Sequence, residues 1–285
     1  MRVFDDTTCE LGEGAFWHPK RRSFLWFDIL GRRLYERGPD GRTEWEMPEL
    51  TSAMGWIGGG LVLLSGESGL ALFDLDRGTR ELLAAIAAED AALRSNDGRA
   101  DPWGGFWHST MGKRAEPGAG GIWRWHKDEL RHLFRNLTIP NAICFDQPRG
   151  LAYFADTASG TVWAQPLDAA GWPAGPHRVF LDLRPEGLNP DGAVTDDQGN
   201  LWIALWGAGR VDCVSPEGRR IGSIPAPARQ VTCPAFGGPE LSALMVTSAW
   251  EQMDPAARAA DPKAGCCFVT QSTARGLPAP RVMLR

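Results

Sequence analysis

Apolar and polar positions along the chain fall into recurring pairs of short apolar runs, each pair separated by a turn. Residues 23–28 (Ser-Phe-Leu-Trp-Phe-Asp) are followed by Gly31 and then 33–35. The same pattern returns at 60–65 with 70–75, 105–110 with 120–125, 150–156 with 160–164, 199–204 with 209–212, and 241–247 with 266–269. Runs this short, rich in Leu, Val, Ile, Phe and Trp and bounded by Gly, Pro and Asp, predict strands. The centres of the first runs, at 26, 62, 107, 153, 202 and 245, are spaced by 36, 45, 46, 49 and 43 residues. Six units of about 45 residues match four-stranded propeller blades, each burying its faces on its neighbours. The expected architecture is all-β: a single domain over residues 1–285, a six-bladed β-propeller with four-stranded blades around a central channel. The turn signals Pro39-Asp40-Gly41, Asp197-Gln198-Gly199 and Pro216-Glu217-Gly218 sit where hairpins belong.

Two segments strain this pattern. Residues 79–93 (TRELLAAIAAEDAAL) are dominated by Ala and Leu and favour a helix locally. The repeat needs a strand there, with 81–86 as an outer strand, and a strand is the expectation. Residues 252–264 are polar and rich in Ala, Asp and Pro, and predict a loop with a helical turn.

Composition narrows the class of partner. The 13 Trp and 12 Phe suit layers packed between blades. A net charge of −5 with no long Lys/Arg run argues against nucleic acid. No apolar stretch approaches the length of a membrane span, and Met1 to Asp6 lacks the pattern of a signal peptide. The six Cys (9, 144, 213, 233, 266, 267) form no C-x-x-C pair, and Cys266 and Cys267 are adjacent, which is poor geometry for bridging each other. They read as reduced, mostly buried thiols of a cytoplasmic protein.

The chain contains no G-x-S-x-G, no phosphate-binding P-loop and no H-E-x-x-H, and its five His are scattered. What remains are Glu13, Asn96 with Asp97, Asn141 and Asp191, read as lying in Gly/Pro-rich loops upstream of the aromatic-rich runs. Glu13, Asn96, Asn141 and Asp191 each stand 11 to 13 residues before the centre of their run. Each alone is an ordinary turn former. In a propeller, however, equivalent positions converge at one end of the channel, and two carboxylates with two amides there would favour a hard cation such as Ca²⁺, Mg²⁺ or Mn²⁺.

At these residues the sequence resembles the senescence-marker-protein/gluconolactonase/luciferin-regenerating family, which includes regucalcin and bacterial sugar lactonases. The resemblance rests on Leu11-Gly12-Glu13-Gly14 with Trp17; Ser95-Asn96-Asp97-Gly98 with Asp101 and Trp107; Thr110-Met111-Gly112; Asn141; and Asp156-Thr157. It continues through Pro190-Asp191-Gly192-Ala193 into Asp197-Gln198-Gly199-Asn200-Leu201-Trp202, and through 236–241 with Val246-Thr247-Ser248. It implies a six-bladed propeller in which Glu13, Asn141 and Asp191 bind one divalent metal, with Ca²⁺, Zn²⁺, Mg²⁺, Mn²⁺ and Fe²⁺ all admissible. It further implies that Arg94 and Asn96 hold the sugar hydroxyls or lactone carbonyl, with Glu116 matched by position only. The reaction so implied is hydrolysis of a sugar lactone. Among these residues Asp191, a carboxylate with a second oxygen beyond the one that binds the ion, is the expected general base.

Two departures stand out. Ala142 follows Asn141 where the family often has Gly; Ala does not take φ > 0 cheaply, so a different local backbone is the expectation. His108 stands where a small or apolar strand residue is usual. It reads first as a strand residue facing a neighbouring blade, and second as a group that tunes specificity or acts as a base. Two other functions share the site chemistry: a calcium-handling or sensing propeller without turnover, and an aryl ester or organophosphate hydrolase. A propeller needs no partner to close, so a monomer or weak oligomer is expected.

Overall fold

In the computed structural model, which describes every residue from Met1 to Arg285, each centre of the sequence repeat falls on the second strand of a four-stranded antiparallel sheet. β1 (Arg2–Asp5) precedes a first sheet of β2 (Gly12–His18), β3 (Ser23–Asp28), β4 (Arg33–Gly38) and β5 (Gly41–Glu46). The second sheet holds β6 (Thr51–Gly58), β7 (Leu61–Gly66), β8 (Gly69–Asp74) and β9 (Thr79–Ala85). The third holds β10 (Leu93–Ala100), β11 (Phe106–Gly112), β12 (Gly120–His126) and β13 (Glu129–Leu137). The fourth holds β14 (Pro140–Asp146), β15 (Leu151–Asp156), β16 (Thr161–Pro166) and β17 (Arg178–Asp182). The fifth holds β18 (Asn189–Thr195), β19 (Leu201–Trp206), β20 (Arg210–Val214) and β21 (Arg220–Pro225). The sixth is β22 (Val231–Gly237), β23 (Ala243–Ser248) and β24 (Cys267–Gln271), with β1 as its fourth strand. This is the six-bladed, four-stranded β-propeller class that the repeat predicts.

Burial within a sheet explains why the second strands carried the sequence signal. Every residue of β3 and β11 is buried, and both strands turn large apolar or aromatic side chains to each face. The fourth strands β5 and β21 are mostly exposed and carry Arg42, Glu44, Glu46 and Arg220, charges that discourage edge-to-edge pairing with other chains. β9 is the strand that the Ala/Leu-rich segment was expected to form. Its pairing with β8, from Gly69↔Ala85 to Asp74↔Thr79, overrides helical propensity.

The sheets group into two compact units. The first comprises Met1–Glu46 and Pro185–Pro278, that is, sheets one, five and six. Its core includes Cys9, Trp26, Tyr35, Met245 and Cys267, with Trp26 stacked on Tyr35 at 5.4 Å. β1 closes the sixth sheet through Arg2↔Val269 and Val3↔Phe268, an assignment that the sequence pattern did not disclose. The second unit comprises Met47–Arg184 and Ala279–Arg285, with sheets two, three and four. Its core includes Leu63, Leu70, Phe106 and Trp125, joined by Val282, whose amide donates to the Trp56 carbonyl at 2.7 Å.

All six cysteines are free and buried. A single α-helix, α1 (Pro255–Ala260), supplies the helical turn expected within 252–264; Asp254 caps it by accepting from the Ala257 amide at 2.8 Å. No helix is long and apolar enough to cross a membrane.

Candidate active site

Glu13, Asn96, Asn141 and Asp191 do not lie in loops. They lie on the first strands of four sheets, β2, β10, β14 and β18, each at a β-bulge. Glu13 opposes Phe27 but Phe16 opposes Leu25, and Asn141 opposes Ala155 but Cys144 opposes Tyr153. Ser95↔Thr110 likewise gives way to Gly98↔His108, and Pro190↔Leu205 to Ala193↔Ile203. Each first strand thus carries one extra residue at the same place in its sheet. Glu13 and Asn141 occupy the first position of the bulge, and Asn96 and Asp191 the second. The Gly, Pro, Asn and Asp that imitate a loop in sequence are the residues a bulge tolerates, because it leaves one residue unpaired and re-aims its side chain.

The backbone beside Asn141 follows the path of its counterpart in the first sheet despite the alanine. Ala142 has φ 55°, and Gly14, at the same point after Glu13, has φ 60°. The alanine therefore keeps the left-handed bulge and bears its steric cost rather than altering the path. Ala142→Gly is expected to raise unfolding stability by about 1 kcal/mol. Urea melts of the two proteins check this, and an unchanged or lower midpoint would show that Ala142 is not strained.

Both bulges at Glu13 and Asn141 are held from behind by an aspartate at the end of the second strand. Asp28 accepts from the amides of Glu10, Leu11 and Gly31 at 3.0–3.1 Å. Asp156 accepts from Thr138, Ile139 and Ala158 at 2.9–3.2 Å. Leu11 and Ile139 each stand two residues before the site residue, so a carboxylate fixes the start of the strand in both sheets. In the sequence each is the Asp that closes an apolar, aromatic run.

Within the first unit, the sixth sheet's bulge joins the other two. The Thr232 hydroxyl donates to the Gly12 carbonyl, next to Glu13. Gly192, next to Asp191, lies so close to Thr232 and Cys233 that an added Cβ would stand 2.9 Å from the Thr232 oxygen and Cys233 Cα. The two carboxylate-bearing bulges therefore flank one segment. Asp191 is buried and Glu13 half-buried, its Oε2 accepting from the Gly14 amide at 3.0 Å.

Within the second unit, Arg94, Asn96 and Asn141 are brought together. Arg94 Nη1 donates to the Ser95 carbonyl and to Asn96 Oδ1, both at 2.8 Å. Asn96 Nδ2 donates to the Pro140 carbonyl at 2.8 Å and to Asn141 Oδ1 at 3.3 Å. Asn141 Nδ2 donates to Thr157 Oγ1 at 2.9 Å. Behind them, the fully enclosed Asp97 carboxylate accepts from the Gly98 and Ile143 amides, both at 2.7 Å, tying the third sheet's bulge to the fourth's. Burial pushes the Asp97 pKa up, and Arg99 and the two amides offset this only in part.

Glu116 packs against Gly112, which pairs with Leu93 beside Arg94. It lies on the loop after β11, where its carboxylate accepts from the amide of Arg114 at 3.1 Å and pairs with the Arg114 guanidinium at 3.3 Å. His108 is fully buried in β11, with Nδ1 2.7 Å from the Ser65 hydroxyl of β7 in the neighbouring sheet. It is the strand residue facing a neighbouring blade. Burial lowers its pKa to about 3, which leaves it neutral and poorly suited to taking up a proton.

In the first unit the bulges of β2 and β18 present the carboxylates Glu13 and Asp191, and in the second unit the bulge of β14 presents the amide Asn141. Each is a hard oxygen donor, of the kind an oxygen-seeking divalent ion takes and a thiol-seeking one does not. No three His, Cys, Asp or Glu side chains are grouped to hold a metal ion.

Residues 11–250 match the profile of the SMP-30/Gluconolactonase/LRE-like region. The chain is 34% identical to the L-arabinolactonase of Azospirillum brasilense, over 97% of this chain and 93% of that one. It is 32% identical to the 6-deoxy-6-sulfogluconolactonase of Pseudomonas putida, over 95% and 94%. Among solved structures, the calcium-binding protein regucalcin of Agrobacterium tumefaciens superposes with a TM-score of 0.97 at 38% identity, covering 99% of this chain and 97% of that one.

Proposed function

Because the chain belongs to the SMP-30/gluconolactonase/LRE-like family, we propose that it hydrolyses a sugar lactone to the aldonic acid with the help of one divalent metal ion. The relatives named as lactonases, matched over nearly their whole length, support the reaction class. Glu13, Asn141 and Asp191 are the proposed ligands; Glu13 and Asn141 stand on the last regular pair before a bulge, and Asp191 stands within one. When bound, such an ion polarises the lactone carbonyl and acidifies a water molecule.

The chain's own groups do the rest. Asp191, buried on β18, takes the proton from the attacking water as general base. Arg94 orients the ring through its planar fork of donors, and Asn96 offers amide contacts to hydroxyls. Glu116, half-exposed on its loop, is proposed as an outer substrate contact. One observation carries the reading: the Arg94 guanidinium is packed, 6% exposed, 2.8 Å from the amide that itself touches Asn141. A guanidinium held there adds a planar fork of donors for the oxygens of a sugar lactone beside the proposed ligands. The substrate is a free small molecule, and the reduced state of six buried thiols favours the cytoplasm as its place. We propose that one chain forms one domain and one working site, as a monomer or a weak oligomer.

The test is acid release from a panel of five- and six-membered aldonolactones by chelator-stripped protein, with each divalent ion added back in turn. Release above the spontaneous rate, restored by one ion, is expected. A second reading, ion binding without turnover, is favoured by the calcium-binding solved relative. Metal binding with no release from any lactone would establish that reading instead.

A further inference from the structure

An asparagine amide has two ends of almost equal shape, one that binds cations and one that repels them. Which end faces the site is set by its neighbours. Here the neighbours leave no freedom. Arg94 can only donate, so the atom of Asn96 that it meets at 2.8 Å is oxygen. The Pro140 carbonyl can only accept, so the atom of Asn96 that meets it at 2.8 Å is nitrogen. That nitrogen also lies 3.3 Å from Asn141, whose facing atom must therefore be oxygen. The Asn141 nitrogen is left to face the hydroxyl of Thr157 at 2.9 Å.

We propose that Thr157 is a positioning residue, the terminal acceptor of a four-residue relay, Arg94–Asn96–Asn141–Thr157, that keeps the oxygen of Asn141 available for the cation. The proposal rests on the reading of Asn141 as a metal ligand. A carbonyl oxygen has two lone pairs, so Asn141 Oδ1 can accept from Asn96 and still serve an ion. Thr157 is suited to the task because its backbone is held independently of its hydroxyl. Its amide donates to the Ile139 carbonyl at 3.0 Å, and the preceding Asp156 fixes the amides on either side of the turn. The relay also joins two functions: Arg94 and Asn96, proposed to face the sugar, orient a ligand of the ion at the same time.

The experiment compares divalent-ion affinity, by calorimetric titration of the chelator-stripped protein, in wild type, Thr157→Val and Thr157→Ser. Valine preserves the shape of threonine and removes the hydroxyl, which accepts from Asn141 and can also donate. Thr157→Val is expected to weaken binding about tenfold, the usual cost of losing a group that orients a ligand. Thr157→Ser is expected to return affinity to the wild-type range. Thermal melts of the ion-free proteins verify folding, and Ser remains the informative variant if Val fails to fold. Equal affinity in wild type and a folded Thr157→Val overturns the positioning role while leaving the metal reading intact, and so does loss of affinity in a folded Thr157→Ser. No ion uptake by wild type overturns the metal reading and the relay together.

Discussion

Asp191→Ala is expected to lower lactone hydrolysis by about a thousandfold or more, since it removes both a proposed metal ligand and the general base. The loss should come with little change in fold. Asp191 is the second residue of a bulge, outside the regular ladder of β18, and its neighbour Gly192 makes the close contact with the sixth sheet. Asp191→Asn separates the two roles: it keeps an oxygen donor and loses the base, so ion binding should persist better than kcat. Glu13→Ala is expected to act through ion binding. Measurement of kcat, KM and ion affinity in the three variants, alongside circular dichroism, tests the assignment. Undiminished turnover in Asp191→Ala would remove Asp191 from the mechanism.

Stability should fall steeply below neutral pH, and His108 should account for much of the fall. In the unfolded chain its imidazole takes up a proton as pH drops through its ordinary value of 6.5; in the folded chain, burial delays uptake until about 3. The folded pKa is depressed, so the contribution is fully present above pH 6.5 and is lost across the window down to pH 3. The slope from this one group is about 1.4 kcal/mol per pH unit, reaching about 5 kcal/mol at the lower end. His108→Gln keeps a polar partner for Ser65 but cannot titrate, so its unfolding free energy should decline less between pH 6.5 and 4.5. Urea melts of the two proteins across that range give the difference directly, and parallel slopes would show that His108 is not held neutral. Glu36 adds to the loss at lower pH. Burial alone would raise its pKa, but hydrogen bonds from Arg21 and Ser23 outweigh that and hold it down, so its contribution disappears only as pH falls through the carboxylate range.

The fold was legible because the second strands are buried on both faces. β3, β7, β11, β15, β19 and β23 read as apolar, aromatic runs at a period that blade architecture explains. The first strands were not legible as strands. Their bulges need small or polar residues, and Glu13-Gly14, Asn96-Asp97 and Pro190-Asp191-Gly192 resemble turns when read without their partners. The phase of these residues was still visible, because the bulge stands at one place in every sheet. The left-handed backbone at Ala142 was invisible, since sequence shows a residue's preference and not the neighbours that override it. The same holds for Asp28, Asp156 and Thr157, whose hydrogen-bond partners are fixed only once two strands align.

The N-terminal strand carries a consequence for how the chain is made. A ribosome releases β1 about 260 residues before β24, its only neighbour in the sixth sheet. At ordinary synthesis rates that interval lasts roughly 10–50 s. Throughout it, Arg2–Asp5 lacks the partner that makes it a strand. Its charged ends, Arg2 and Asp5, and its length of four residues make a premature pairing weak. Completion of the sixth sheet is therefore a late event, set by arrival of the far end of the chain and not by the speed of local folding. A fusion that holds the first five residues away from residues 267–271 should leave five sheets formed and one perpetually unfinished.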